Sequence, residues 1–365
     1  EMCIRDSYTA DRYRGAIGSY LQNMQNPELK WEQKMDYNIG LDAVFMGVDI
    51  RMDFYKSITK DLVSSVGIAP STGFTTVSEN LGKVENKGFE ILASYTPWQS
   101  RDGFVRINGS IAYNKDKILK ISDAMRQFNE NQAALAAMED QALPVAQYQD
   151  GLSMNTIFAV PSLGIDPAIG LEMYRKQDGS STYIWRDTDR VPCGVSVPLY
   201  RGTVGITGEY KGIGISITGR YLGGGQMYNS TLVNMVENAD ISQNFDRRVL
   251  TERWNHVGHH AFFKRYKSNT PYDLRNGIYW YSKDGWRQPP TQSTSRFVQD
   301  QKEFDISSIS VYYDFKREWI QKIGLERLKL SFYMNDICKF SSIKVERGLY
   351  YPFARTMSFA LSATF

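Results

Sequence analysis

The sequence predicts an all-β chain: nine antiparallel strands forming the carboxy-terminal part of a transmembrane β-barrel with long extracellular loops. Three observations predict it. Nine segments alternate apolar and polar residues with a period of two, the signature of strands with unlike faces. The connections between them alternate short and long, as in barrels that cross an outer membrane. The last eleven residues, Arg355 to Phe365, form a strand with Met357, Phe359, Leu361, Ala363 and Phe365 on one side. That length suits a tilted strand, which needs about 9–11 residues to cross a bilayer. A bare apolar edge at the end of a soluble chain invites aggregation, whereas a closed barrel has no such edge. The competing reading of this last strand is the closing strand of a soluble β-sandwich.

Composition narrows the class. A soluble chain of 365 residues would suggest two or three domains. A net charge of +3 argues against nucleic acid as a partner. Aromatic residues reach 13%, with 23 Tyr, 18 Phe and 7 Trp, and such rings suit membrane–water interfaces. Mean hydropathy is −0.41, and no apolar run reaches the about 18 residues of a transmembrane helix. Strand alternation averages away in such a window, so a barrel stays open. Cys3, Cys193 and Cys338 are too scattered for a disulfide framework or a metal knuckle.

The chain begins with a foreign-looking stretch. Glu1-Met-Cys-Ile-Arg-Asp-Ser7 reads as a translated sequencing-adapter scar and is set aside. The expectation is then a carboxy-terminal fragment whose signal peptide lies upstream. Residues 8–30 read as a polar lead-in loop ending at the turn signal Asn26-Pro27. Residues 31–365 read as a partial barrel.

The strands follow in order. In the first, Trp31, Met35, Tyr37, Ile39, Leu41, Ala43 and Phe45 oppose Glu32, Lys34, Asp36, Asn38 and Asp42. Charges on one face and apolar groups on the other fit a wet lumen and a lipid exterior. Met46-Gly47 turns the chain into a second strand with Val48, Ile50, Met52 and Phe54 outward. The third, 82–96, carries Phe89, Ile91, Ala93 and Tyr95; a turn at 97–103 leads to the fourth, 104–114, with Val105, Ile107, Ile111 and Tyr113. A long insertion then holds a short helix at 122–138 and strand-like pieces at 156–160 and 171–174. Strands five and six, 203–210 and 213–222, flank Lys211-Gly212. After a second long insertion come strands seven (303–315), eight (327–335) and the final one. The connections run to about 2, 23, 7, 85, 2, 79, 11 and 17 residues. A β-sandwich has no reason to sort its connections this way. Nine is also an odd count, and bacterial single-chain barrels have even ones.

Asn26-Pro-Glu-Leu-Lys-Trp-Glu32, Asn80-Leu-Gly-Lys-Val-Glu-Asn-Lys-Gly-Phe-Glu90 and Glu346-Arg-Gly-Leu-Tyr-Tyr-Pro-Phe-Ala-Arg355 resemble stretches of the SusC/RagA-like TonB-dependent transporters of Bacteroidetes. Ser162-Leu-Gly-Ile-Asp-Pro167 and Gly223-Gly-Gly-Gln-Met-Tyr-Asn229 fit the same family. The resemblance implies a 22-stranded outer-membrane barrel that imports glycan oligosaccharides or peptides. It also implies a SusD-like surface lipoprotein as a cap and an inner-membrane TonB complex as the drive. The TonB-contacting part would lie upstream of this chain. The nine strands would be the carboxy-terminal nine, with Phe359, Leu361 and Phe365 on the barrel-closing strand.

Sites for chemistry are few. All three His lie in His256-Val-Gly-His259-His260, but nothing in the pattern supplies further metal ligands, so a solvated loop is expected. Asp178-Gly179 and Asp187-Thr-Asp189 lack the full calcium-loop pattern and read as turns. No catalytic arrangement can be argued, so the expectation is no enzyme, no cofactor and no metal. The lumen-facing Glu32, Asp36, Asp49 and Asp53 read as a hydrated wall. Trp254, Tyr279, Trp280, Tyr281 and Trp286 form an aromatic group in the second insertion. They are candidates for stacking on a sugar ring or peptide side chain, against packing of the loop or of the lipoprotein. The alternative to an importer is a non-transporting extracellular β-rich binding or adhesion module.

Overall fold

The computed structural model describes residues 7–13, 16–67, 72–74, 76–137, 143–239, 245–265, 291–344 and 355–365. Its main feature is one sheet of nine antiparallel strands. In chain order they are β1 (Gln33–Phe45), β2 (Val48–Lys60), β3 (Gly82–Ser100), β4 (Gly103–Ile121), β5 (Tyr200–Tyr210), β6 (Ile213–Tyr228), β7 (Val298–Asp314), β8 (Arg327–Ser341) and β9 (Met357–Thr364). Each strand pairs with its neighbours in sequence, so the sheet is a meander with β1 and β9 as open edges. Among the described residues no helix is long and apolar enough to cross a membrane.

The register carries the alternation across the whole sheet. One row runs Phe45, Val48, Tyr95, Ile107, Ile206, Ile217, Ile309, Met334, Met357, one residue from each strand, all apolar. The adjacent row on the other face runs Asp49, Ser94, Asn108, Gly205, Thr218, Ser308, Asn335. A slip of one residue in any strand would exchange its faces, so this agreement fixes the pairing. The apolar face is bare: Phe359 is 75% exposed and Leu361 is 69% exposed. The polar face carries ion pairs between neighbouring strands, Arg220 to Asp305 at 2.8 Å and Lys339 to Glu303 at 2.6 Å.

Two turns are set by local chemistry. Met46 and Gly47, and likewise Lys211 and Gly212, all have positive φ. A two-residue hairpin with both centres left-handed matches the twist of the flanking strands, and glycine takes the second place without strain. Elsewhere glycine makes room for tyrosine. A Cβ on Gly88 would lie 2.6 Å from the Tyr55 hydroxyl oxygen, and one on Gly214 would lie 2.1 Å from the Tyr312 ring. Each ring crosses a neighbouring strand where that strand has no side chain.

Three expectations change. The lead-in expected as a loop at 8–30 contains a hairpin, Ser7–Tyr13 with Ala16–Asn23, whose first residue, Ser7, lies in the stretch that reads as an adapter scar. Backbone pairing needs no apolar face, and a polar ribbon leaves no hydrophobic period. Residues 1–6 lie outside the described residues. The turn expected at 97–103 shrinks to Arg101-Asp102, because Thr96 and Pro97 form a bulge and β3 runs on to Ser100. Proline tolerates a bulge because no ladder N–H is needed there. Glu32 leaves the expected lumen wall: its Oε2 accepts the backbone N–H of Val63 at 3.3 Å.

The long connections share one end of the sheet. The helix α1, Asp123–Ala136, lies one residue inside the expected span at its start. Its Met125 and Phe128 bury against Leu81, with Leu62, Tyr148 and Met154 packed on them. A second small core gathers Leu232, Val233, Val236, Val249, Phe263 and Phe297 from the second insertion.

Candidate functional site

The site is built where the two long insertions meet above the sheet. The first contributes three short strand pieces, Ser162–Ile165, Glu172–Arg175 and Ser181–Thr182, in one small sheet. The second contributes Val233–Glu237 and the segment Ser295–Phe297 that leads into β7. Isolated bridges join Val160 to Thr294 and Arg253 to Phe263. These local folds bring three charged residues together in the interior.

Arg296 is the centre. Its Nη2 lies 2.7 Å from Glu172 Oε2 and 2.8 Å from Glu237 Oε1, and the side chains are 5%, 1% and 0% exposed respectively. Its Nε donates to Glu172 Oε1 at 3.0 Å and its Nη1 to the Phe262 carbonyl at 2.6 Å. The guanidinium also stands 4.4 Å from the Phe297 ring centroid. Tyr174 donates to Glu172 at 3.3 Å, and Thr291 Oγ1 donates to Glu237 at 3.1 Å. Nearby, Arg253 donates to the carbonyls of Val249, Lys264, Val236 and Glu237. Buried charges persist only when paired and hydrogen-bonded, and here the pairs supply that.

The electrostatics follow from this geometry. Burial pushes the Glu172 carboxyl upward, but the Arg296 guanidinium and hydrogen bonds from Arg296, Ser162 and Thr294 outweigh it and hold the group below its ordinary value. Burial and the Glu172 carboxylate push the Tyr174 phenol well above its ordinary value. Burial works against the Arg296 charge, yet the two carboxylates hold it above its ordinary value. The cluster is therefore a fixed electrostatic lock. It is not a poised acid or base.

Beside the lock an open cleft of about 320 Å³ is lined by Ser162, Gly164, Ile165, Ala261, Phe262, Ser295 and Arg296. Both insertions wall it, so the lock also fixes the cleft's shape.

Trp254 is the described member of the expected aromatic group. Its indole N–H donates to the Pro167 carbonyl at 2.9 Å. Its ring lies over the 166–170 turn, where a Cβ on Gly170 would come within 2.4 Å of it. The same Pro167 carbonyl accepts the Gly258 N–H at 2.8 Å. Trp254 thus joins the two insertions through its indole N–H and the ring face over Gly170. Tyr279, Trp280, Tyr281 and Trp286 lie outside the described residues. Phe359 and Leu361 stand on the apolar face of β9, opposite Phe332 and Leu330, and Phe365 follows at 88% exposure. His256 and His259 stack in parallel at 5.2 Å, and among the described residues no group of three potential ligands is placed to hold a metal.

Sequence reading missed the lock. Its one local trace is placement: Glu172 sits between Leu171 and Met173, Glu237 follows Val236, and Arg296 precedes Phe297-Val298. A charge inside an apolar run hints at burial, but the partners are remote. Two quoted motifs also gain a structural role. Lys30 N–H donates to Asn80 Oδ1 at 2.8 Å, and Asn80 Nδ2 donates back to the Lys30 carbonyl at 3.0 Å. The stretches 26–32 and 80–90 are stitched together at that asparagine.

Residues 5–149 match the family described as TonB dependent receptor-like, beta-barrel. TonB-dependent receptor P3 of Formosa agariphila is 23% identical over 332 residues, covering 86% of this chain and 30% of that protein. TonB-dependent receptor SusC of Bacteroides thetaiotaomicron is 33% identical over 100 residues, covering 27% of this chain and 10% of SusC. Among solved structures, the RagAB peptide importer in its open-open state superposes with a TM-score of 0.71 at 16% identity, covering 100% of this chain and 38% of that one. That likeness is one of fold. The chain spans well under half the length of the relatives it matches.

Proposed function

We propose that this chain carries part of the β-barrel of a TonB-dependent receptor, an outer-membrane protein and not an enzyme, and that the intact protein imports a nutrient across that membrane. The cargo is a glycan oligosaccharide or a peptide, and import is driven through TonB. A SusD-like lipoprotein covers the end that bears the long insertions. The observation that carries this reading is the sheet itself. One face is apolar on every strand, the other is lined by charges and hydroxyls, and the described parts of the long connections pack into small cores at one end. A wall of that kind encloses water and faces lipid. Long ordered loops on a rigid scaffold usually carry recognition.

In this reading Trp254 organises the cap, and the rings at 279–286 are the candidates for direct contact with cargo. The strand β9, with Phe359, Leu361 and Phe365 toward lipid, closes the barrel. The test is deletion of the intact gene in its host. Uptake of labelled oligosaccharides and peptides should fall for one class of cargo, and a SusD-like lipoprotein should co-purify with the tagged receptor. Unchanged uptake of both classes, with no lipoprotein recovered, would return the adhesion reading.

A further inference from the structure

We propose that the cleft between the two insertions is a receptor for one apolar side chain of an extended peptide, held by Ile165, Ala261 and Phe262. This names the cargo class. It rests on the importer reading for how a peptide arrives, whereas binding itself is measured without transport. The cleft has a volume of about 320 Å³. That is the small end of the roughly 300–1,000 Å³ of ligand pockets, enough for one large side chain. One wall is the strand piece Ser162–Ile165, and the other is Ala261 and Phe262. Both are tied to the segment Ser295–Phe297. Ser162 N–H donates to Ser295 Oγ at 2.9 Å, and Arg296 Nη1 donates to the Phe262 carbonyl at 2.6 Å. The Phe262 ring meets Phe263 and Phe297 edge to face, at 4.9 and 6.0 Å, and stays 39% exposed. The cleft is therefore formed before a ligand arrives, which removes an ordering cost. At Gly164, with φ +94, no heavy atom stands within 4 Å of where a Cβ would lie, so the space beside it is open.

The chemistry of the lining selects the ligand. Among the described residues that line the cleft, Arg296 carries the one charge. Its Nε donates to Glu172, its Nη1 to the Phe262 carbonyl and to Glu237, and its Nη2 to Glu172 and Glu237. A guanidinium has five N–H groups, and these contacts use all of them. Two carboxylates already balance its charge, so an anionic cargo gains nothing here. The hydroxyls are engaged as well: Ser162 Oγ accepts the Gly164 N–H at 3.1 Å, and Ser295 Oγ accepts the Ser162 N–H. A sugar ring would bury its hydroxyls with few partners, and buried polar groups left unpaired are costly. An apolar side chain makes no such demand and gains from contact with Ile165, Ala261 and Phe262. The mouth suits the rest of a peptide. Leu163, 42% exposed, bulges from the pairing of Ser162–Ile165 with Glu172–Arg175 and has no Cα partner there. An extended chain laid along that margin points alternate side chains into the cleft and into water.

The test uses the intact receptor in detergent and four probes: blocked alanine pentapeptides with a central leucine, serine or glutamate, and a neutral pentasaccharide of glucose. Calorimetry should show the leucine peptide binding about tenfold more tightly than the serine and glutamate peptides. Ala261→Trp, which fills the cleft, should remove that preference, and Val257→Trp, on an exposed loop outside it, should keep it. Unchanged hydrogen exchange across 156–175 certifies the fold of each variant. In wild type, a peptide with a central photoactivatable leucine should label 162–165 or 261–262, a result that needs no variant to fold. Equal binding of the leucine and serine peptides, or labelling elsewhere, overturns the proposal. So does tighter binding of the pentasaccharide that Ala261→Trp abolishes, which would mark a sugar site and leave the importer reading standing. Loss of the lipoprotein from Ala261→Trp with peptide binding unchanged would mark a protein interface and overturn it too.

Discussion

Arg296 and Glu172 stand 124 residues apart in the chain and 2.7 Å apart in the fold, with side chains only 5% and 1% exposed. Glu237 completes the arrangement from the same insertion as Arg296, 59 residues before it. The contact does for the cap what hydrogen-bonded ladders do for the sheet: it fixes how two segments meet.

Removing one member should loosen the cap and leave the sheet intact. Arg296→Met leaves two carboxylates facing each other without a cation, and breaking a buried pair in this way costs about 3–5 kcal/mol. Hydrogen exchange of the intact protein should quicken across 156–175 and 229–239, while β2 to β8 keep their protection. Equal quickening in both regions would show that the cap and barrel unfold together.

Acid should do the same more gradually. Glu172 is held below its ordinary value in the fold, so its contribution is fully present above the unfolded pKa of about 4.3. It is lost as pH falls through the folded value. Exchange in the cap should therefore rise below about pH 4.3, before any change in the sheet, and Glu172→Gln should remove that acid step. A cap equally protected at pH 6 and at pH 3 would contradict the assignment.

The strand β9 can be tested face against face. Leu361 lies opposite Leu330, and Ser362 lies opposite Lys329. In the intact protein, Leu361→Arg should destabilise by about 2–4 kcal/mol if it meets the bilayer midplane. Ser362→Arg, on the polar face, should cost much less. Urea unfolding in lipid vesicles measures both, and similar losses would mean that the faces are exchanged.

The aromatic group separates packing from recognition. Trp254→Ala opens the contact with Pro167 and Gly170, so it should reduce lipoprotein co-purification and uptake together. The double variant Trp280→Ala/Trp286→Ala should reduce uptake with the complex intact if those rings touch cargo. Full uptake in that double variant would take them out of the site.

The features legible in the chain alone are local. The outward residue of every strand could be named in advance, because a period of two is written in adjacent positions and register only has to agree with it. Met46-Gly47 and Lys211-Gly212 announced their turns because left-handed backbone favours glycine. The start of α1 and the strand pieces near 156 and 171 were legible because each is marked by its own adjacent residues. The remaining features depend on long-range packing. The hairpin Ser7–Tyr13/Ala16–Asn23 is held by backbone groups that every residue carries, so no pattern marks it. Pro97 reads as a turn until the bulge beside it is seen. Arg296, Glu172 and Glu237 meet because two insertions fold over each other, and Trp254 finds Pro167 by the same packing. A contact between residues so far apart in sequence leaves no period in either segment; its energy exists only once both are buried in the same place.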